Sequence, residues 1–205
     1  MGEAGRELEP GERVSGEDWY GVELRGTAYT GVVFTGVDLT EALVEGATFT
    51  ECTFRDVRLN ASVHTSSAYV SCTFSGTNLF DARFTGCKLS GSTFSRCSFT
   101  ALTVEGGDWS FVDLSHADLR RSTWTDVRMR EAELPDVQAS GATFRDVDLS
   151  AANLRGADLT EADLRGSDLT GLDPFTTQVR GAVILGHQAV TLAESLGLDV
   201  RPEHP

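Results

Sequence analysis

Cysteine and histidine are the side chains best suited to metal ligation, disulfide formation and nucleophilic catalysis, and this sequence contains four of each. No two cysteines form a C-x-x-C pair, no two histidines stand close together, and the glycines form no G-x-G-x-x-G fingerprint. The residues are Cys52, Cys72, Cys87, Cys97, His64, His116, His187 and His204. These spacings predict no metal site, no cofactor and no catalytic centre, so we expect a protein that is not an enzyme.

Carboxylates are the other abundant reactive groups, and they are suited to binding a basic partner. The chain has 31 acidic and 17 basic residues, a formal net charge of −14. This charge repels phosphates, so direct binding of nucleic acid is not expected. In the C-terminal half, a series of aspartates each precede a large apolar residue. We expect six of them to form an acidic partner-binding surface: Asp113, Asp118, Asp148, Asp158, Asp163 and Asp168. The alternative is a solvated acidic face that only keeps the protein soluble.

Large apolar residues recur at every fifth position, and this repeat must position the aspartates. Thirty positions separated by five run from Leu24 to Leu169, and 28 of them are large and apolar, the exceptions being His64 and Ala139. The residue two places earlier is small in every case except Leu102. The period fits neither a helix nor a half-buried strand. Two inward and three outward residues in each five instead predict a straight side followed by a corner, which glycine often occupies.

Successive sides of this kind can wind into a solenoid. The segment SAANLRGADLTEADLRGSDLTG, residues 150–171, resembles the pentapeptide repeat family, whose members form a right-handed quadrilateral β-helix. The resemblance implies an all-β solenoid with 20-residue coils. Every twentieth residue then forms one apolar column: Phe34, Phe54, Phe74, Phe94, Leu114, Leu134 and Leu154. In this register the four cysteines and His64 face inward, so we expect them to be core residues.

The ends of the chain depart from the repeat. We expect a flexible leader at 1–16, the β-helix at 17–171 and a C-terminal capping and dimerisation segment at 172–205. Asp173–Pro174 is a helix start signal, residues 186–196 have helical apolar spacing, and AVILG between them could add one more strand, so a short C-terminal α-helical cap is predicted. The surplus of apolar residues predicts a homodimer contact, with a monomeric cap as the alternative. The expected interface residues are Phe175, Val179, Ile184, Leu185, Val190, Leu192 and Leu196.

Two longer stretches, 67–134 and 172–200, are similar to the mycobacterial and actinobacterial fluoroquinolone-resistance pentapeptide repeat proteins, the MfpA-like group. That resemblance implies a dimer joined through its C-terminal ends. It also implies an acidic rod similar to B-form DNA that binds DNA gyrase, through GyrA, GyrB or both, and protects it from quinolone-type poisons. The more distant Qnr proteins carry projecting loops, but the register here is unbroken between 24 and 169, so we expect none.

A rigid interaction scaffold with a partner other than a topoisomerase is the alternative function. Self-protection in a producer of a gyrase-targeting natural product is a variant of the first. No apolar run approaches the roughly 18 residues of a membrane span, and the N-terminus lacks a secretory pattern, so a cytoplasmic protein without a membrane partner is expected.

Overall fold

The chain folds as an all-β solenoid, a right-handed quadrilateral β-helix of parallel strands followed by one short helix. The computed structural model describes residues 5–201, so the outermost parts of the predicted leader and C-terminal segment, 1–4 and 202–205, lie outside the described residues. The strands are β1 (Arg13–Ser15), β2 (Glu23–Arg25), β3 (Ala28–Thr30), β4 (Val33–Thr35), β5 (Leu43–Glu45), β6 (Thr48–Thr50), β7 (Thr53–Arg55), β8 (Val63–Thr65), β9 (Ala68–Val70), β10 (Thr73–Ser75), β11 (Arg83–Thr85), β12 (Thr93–Ser95), β13 (Thr103–Glu105), β14 (Thr123–Thr125) and β15 (Thr143–Arg145), and the helix is α1 (Gly186–Ser195).

Each strand pairs in parallel with the strand 20 residues away, which confirms the four-sided coil. The three sheets have the orders β1-β4-β7-β10-β12, β2-β5-β8-β11-β13-β14-β15 and β3-β6-β9. The remaining side is held by isolated parallel bridges, beginning with Asp18 to Asp38. We call the sides I to IV in chain order: side I carries β1, side II begins at Asp18, side III carries β2 and side IV carries β3.

The predicted inward positions form the core. All thirty residues of the five-residue series from Leu24 to Leu169 are at most 5% exposed, including His64 and Ala139. Along side I, Phe34, Phe54, Phe74 and Phe94 stack with ring centroids 5.1, 4.7 and 4.5 Å apart. Each buried side chain of this size contributes roughly 1.5–3 kcal/mol, and stacked rings add about 0.5–1.5 kcal/mol for each pair. The predicted apolar column is therefore confirmed, and its four phenylalanines form a continuous stack.

Corners lie between the sides, and at some of them an added Cβ would contact a side chain of the preceding coil. Gly166 has a φ of 79°, and a Cβ built on it would overlap the carboxylate of Asp146 in the preceding coil. The same relation holds between Gly156 and Asp136. A substitution at these glycines would therefore meet both a disfavoured backbone angle and a carboxylate.

The solenoid begins earlier than predicted. Val14, in β1, is fully buried and pairs in register with Phe34. Residues 5–16 therefore build the N-terminal end of the coil, where a flexible leader was expected. Trp19 and Val14 continue the large apolar series back from Leu24, but Glu17 and Glu12 stand at the small inward positions and Glu9 at the next large one, which makes the start hard to recognise.

Polar contacts hold this first segment across the end of the solenoid. The Arg6 guanidinium forms ion pairs with Glu12 (2.8 Å) and Glu17 (3.5 Å). The hydroxyl of Tyr29 donates a hydrogen bond to the carbonyl of Arg6 (3.2 Å). The segment thus covers the N-terminal edge of the stack, which would otherwise present unpaired strands.

The C-terminal end differs from its prediction in one respect. Asp173–Pro174 begins a turn in which the Phe175 N–H donates to Asp173 Oδ1 (2.9 Å). The chain does not enter a helix at this point, and α1 begins only at Gly186. The prediction of a helix start there was wrong, because the same aspartate that caps helices also forms Asx turns. The chain then resumes the coil, and a parallel bridge joins Val183 to Asp163, so the AVILG segment does add a further side, extending the coil beyond residue 171.

Helix α1 closes the stack through one buried glutamine. Gln188 Nε2 donates to the carbonyls of Leu164 (2.8 Å) and Ser167 (2.7 Å), and its Oε1 accepts from the Leu185 N–H (2.7 Å). These bonds satisfy peptide groups that no further coil covers. Within residues 5–201, no helix has the length and apolar character needed to cross a bilayer.

Candidate functional site

The six aspartates predicted as a partner-binding surface are all at least partly exposed, but they lie on all four sides of the rod. Asp113 is on side I, Asp118 and Asp158 on side II, Asp163 on side III, and Asp148 and Asp168 on side IV. Among the six, only Asp148 and Asp168 are neighbours in consecutive coils. The structure therefore brings two of these carboxylates together and distributes the others around the rod.

Each of these aspartates also stabilises the corner that follows it. Asp158 Oδ1 accepts a hydrogen bond from the Thr160 N–H (3.0 Å), and Asp168 Oδ1 accepts one from the Thr170 N–H (2.9 Å). The same bond recurs at Asp113, Asp118, Asp148 and Asp163. These are Asx turns, which asparagine can also form, as Asn153 does here. The aspartates thus have a folding role that the sequence analysis did not assign to them.

Arginines neutralise two of the six carboxylates. Arg120 pairs with Asp118 at 2.6 Å, and its hydrogen bond holds the pKa of Asp118 below its ordinary value. Asp163 pairs with both Arg145 and Arg165 at 2.7 Å. Among residues 5–201, no basic nitrogen lies within 4.0 Å of the other four carboxylates. Those four carboxylates, at Asp113, Asp148, Asp158 and Asp168, are the ones best placed to attract a partner.

His64 lies in the core and has hydroxyl partners. The ring stacks on Phe84 with centroids 4.2 Å apart, and burial lowers the pKa of His64 to about 3, so the imidazole is neutral. The Tyr69 hydroxyl lies 2.6 Å from Nδ1, Nε2 lies 2.9 Å from Ser62 Oγ, and Ser62 Oγ donates to the Leu59 carbonyl (2.7 Å). Because Ser62 already donates to Leu59, Nε2 carries the ring proton and Nδ1 accepts from Tyr69. The side chains of Tyr69, His64 and Ser62 are thus joined by hydrogen bonds and buried from solvent, as the inward position of His64 predicts.

The cysteines also occupy the interior. Cys52, Cys72 and Cys87 are at most 1% exposed, and all four thiols are free. Burial raises the pKa of Cys87, and it raises that of Cys97 to about 11. The thiols of Cys87 and Cys97 are therefore protonated at neutral pH, which makes them poor nucleophiles. Among residues 5–201, no cluster of three or more histidine, cysteine or acidic side chains could hold a metal ion.

The residues predicted for a dimer interface divide into two groups. Phe175, Leu185, Val190 and Leu196 are exposed, Phe175 by 78%. Val179, Ile184 and Leu192 pack partly against the chain's own core. The C-terminal end therefore presents an apolar surface, and three of the seven predicted residues are already engaged within the chain.

Other exposed large apolar side chains lie along the rod: Tyr20, Leu43, Phe80 and Phe111. The sequence analysis did not select them. The sequence could have identified them as exposed apolar residues, because each stands at an outward position of the five-residue register, where most residues are polar.

Comparisons with known sequences agree with this architecture. The profile "Pentapeptide repeat region" matches residues 77–154, and "Pentapeptide repeats (8 copies)" matches residues 140–173. A profile of the SV2A/B/C luminal domain matches residues 24–94. No curated protein sequence matches the chain significantly.

Two solved structures are similar to this chain, and HetL, whose TM-score exceeds 0.5, has the same fold. HetL, a pentapeptide repeat protein involved in heterocyst differentiation regulation from the cyanobacterium Nostoc sp. strain PCC 7120, is 23% identical, with a TM-score of 0.54 over 83% of this chain and 84% of HetL. QnrB1, a plasmid-mediated fluoroquinolone resistance protein, is 20% identical, with a TM-score of 0.46 over 91% of this chain and 97% of QnrB1. The coil geometry defines a four-sided parallel solenoid built from five-residue repeats. Within that class, residues 77–173 are similar in sequence to the pentapeptide repeat proteins.

Proposed function

We propose that the protein binds DNA gyrase, through GyrA, GyrB or both, as a mimic of duplex DNA, and thereby modulates the enzyme and protects it from quinolone-type poisons. The observation that carries this proposal is a stiff rod with outward carboxylates on all four sides and a net charge of −14. The cationic DNA-binding surface of a topoisomerase is complementary to such a rod. The similarity of residues 67–134 and 172–200 to the MfpA-like group points to the same partner.

The linear charge density of the rod supports mimicry. Between seven and eight coils spaced by about 4.8 Å give a length on the order of 37 Å. Residues 18–173, which form these coils, contain 23 acidic and 13 basic residues, a net charge of −10, or one charge per roughly 3.7 Å, whereas duplex DNA carries one per about 1.7 Å. The rod thus has a little under half of the linear charge of DNA. Association with a cationic surface should therefore be favourable and should weaken with added salt.

The adjacent pair Asp148 and Asp168 allows charge to be removed without disturbing the fold. Asparagine preserves the Asx-turn acceptor, whereas lysine would remove it, so Asp148→Asn with Asp168→Asn isolates the effect of charge. We expect the affinity for purified gyrase at low salt to fall roughly two- to thirtyfold. We also expect a shallower dependence of affinity on salt and weaker protection in a supercoiling assay with a quinolone.

The opposite end of the rod provides a matched control. Asp18 and Asp38 are also neighbours in consecutive coils, and they accept the same turn hydrogen bonds, from Tyr20 and Thr40. Their replacement by asparagine should change gyrase binding little, since Asp38 is already paired with Arg58 (2.7 Å). Unchanged affinity and salt dependence in the Asp148/Asp168 variant would contradict DNA mimicry through these carboxylates.

We further propose that two copies associate through their C-terminal ends. The exposed apolar residues Phe175, Leu185, Val190 and Leu196 are joined there by Leu198, which is 60% exposed. The N-terminal end, by contrast, is covered by the charged segment containing Arg6. A twofold contact between C-terminal ends would bury this surface and would double the length of the rod.

A scaffold that binds a partner other than a topoisomerase is the second candidate. It is favoured by the Asx turns, because they explain the outward aspartates by folding alone. Pull-down from a bacterial lysate with the purified chain separates the two candidates. Recovery of gyrase subunits supports the first, and recovery of another partner without gyrase supports the second.

A further inference from the structure

Phe111 stands at a corner where its side chain contributes little to folding. It is 57% exposed and lies between sides IV and I with a left-handed φ of 59°. Its N–H donates to the Arg130 carbonyl in the next coil (3.0 Å), so coil-to-coil pairing fixes this conformation. Bulky L-residues are disfavoured in the left-handed region, and exposure leaves the ring without compensating contacts.

Other corners avoid such a residue. Among residues 5–201, the remaining non-glycine residues with positive φ are alanine, serine, aspartate, glutamate, arginine and histidine. Phe111 is the one apolar residue larger than alanine in that set. Exposed positions that keep a disfavoured backbone angle are concentrated at binding sites, and aromatic residues are typical of the centres of protein interfaces.

The surroundings of Phe111 define the charge of a partner. Asp113 lies two residues further on along side I, and Glu133 is its bridge partner in the next coil. Glu131 occupies the next corner of the same column and is exposed. Arg130 is the basic residue of this neighbourhood. Three carboxylates and one guanidinium make the surface around the ring acidic, which fits a basic protein surface.

We propose that Phe111 is an aromatic anchor that inserts into an apolar pocket rimmed by lysine or arginine on the DNA-binding surface of gyrase. This inference rests on the proposed function and adds to it a contact that duplex DNA cannot make. The anchor gives the rod specificity for one protein, because the surrounding carboxylates are attracted to any cationic surface. A second copy of this chain is a poor occupant, since the same carboxylates would then face one another.

The substitution Phe111→Ala tests the anchor. Alanine already occupies left-handed corners at Ala61, Ala101 and Ala151, so the variant should fold with an equal or higher melting temperature. Its affinity for purified gyrase should fall at least about tenfold, as expected for loss of an interface hot spot. The slope of log affinity against log salt should not change, because no charge is removed. The control is Phe80→Ala, which removes a ring that is 48% exposed on side II and should leave affinity unchanged.

Each outcome decides the proposal. If the wild-type chain does not bind gyrase, the proposed function is wrong and the anchor is rejected with it. If the wild type binds and Phe111→Ala binds equally well, the anchor alone is wrong. A lower melting temperature would show that Phe111 serves folding, and a changed sedimentation coefficient would assign it to self-association. Either result overturns the proposal.

Discussion

At the scale of single residues, the hydroxyl partners of His64 determine its proton and its effect on stability. Tyr69 must donate to Nδ1, and Nε2–H must donate to Ser62 Oγ, which leaves no acceptor for a second ring proton. Burial of the ring lowers the pKa of His64 in the folded protein to about 3, whereas an unfolded histidine titrates near 6.5.

We predict that acid destabilises the protein through this histidine. Below about pH 6.5 the unfolded chain binds a proton that the folded chain excludes, so stability should fall by about 1.4 kcal/mol per pH unit until the pH approaches the folded pKa. The matched variant combines His64→Phe with Tyr69→Phe, since removing the imidazole alone would leave a buried hydroxyl without a partner. Urea unfolding at pH 7 and pH 5 should show a smaller difference in the double variant. An equal difference in both proteins would assign the acid sensitivity to other groups.

The sequence predicted the place of His64 but not its partners. The five-residue register puts position 64 inside the rod, which follows from periodicity alone. Identification of Ser62 and Tyr69 required the lateral distances between adjacent sides, and periodicity does not give these. The same limit explains why outward aspartates were predicted as a binding surface and their Asx turns were not: a turn hydrogen bond depends on local backbone angles.

At the scale of elements, the two ends of the solenoid are closed by different chemistry. An ion-paired segment around Arg6 covers the N-terminal end, and helix α1 covers the C-terminal end through Gln188. Repetition within the coil makes the interior highly predictable from sequence. The structure of each end does not repeat, so no sequence period predicts it. For this reason the sequence did not predict the first coil, where Glu9 interrupts the apolar series, and the helix start predicted at Asp173 was wrong.

We predict that Gln188→Ala loosens the C-terminal end. The buried carbonyl of Ser167 would lose its donor, at a cost of about 1–3 kcal/mol for a buried group left unsatisfied, whereas the Leu164 carbonyl would keep its bond from the Ser167 N–H (3.1 Å). Hydrogen exchange measured by mass spectrometry should show faster exchange in residues 164–195 and unchanged exchange in the central coils. Gln138→Ala, at an exposed glutamine on side II, is the control and should change neither. Unchanged exchange in the Gln188 variant would contradict a capping role.

At the scale of the whole molecule, exposed apolar side chains at the C-terminal end and a charged surface at the N-terminal end predict a closed dimer. Stacking through both ends would give fibres, whereas contact through one end alone stops at two copies. Association through the C-terminal ends alone is therefore expected to stop at a dimer and to double the length of the acidic rod.

We predict that Val190→Glu prevents the proposed dimer from forming. Val190 is 41% exposed on α1, and a twofold contact would bring the two introduced carboxylates together in an apolar surface. Sedimentation velocity should show roughly half the mass. Leu43→Glu changes a side chain of similar exposure, 44%, at the other end of the rod and should leave the mass unchanged. A wild-type chain that sediments as a monomer at micromolar concentration would contradict the proposed interface.

The register of 20 residues fixes how such a rod can change length in evolution. Loss or duplication of one complete coil keeps every downstream side aligned with the sides before it. Loss of a single five-residue repeat preserves the inward and outward pattern but turns everything beyond the deletion by a quarter of a revolution. Phe111 and the terminal helix would then face a different direction relative to Asp18 and Asp38. If both ends of the rod must contact the same partner, related proteins can therefore differ in length only by whole coils of 20 residues.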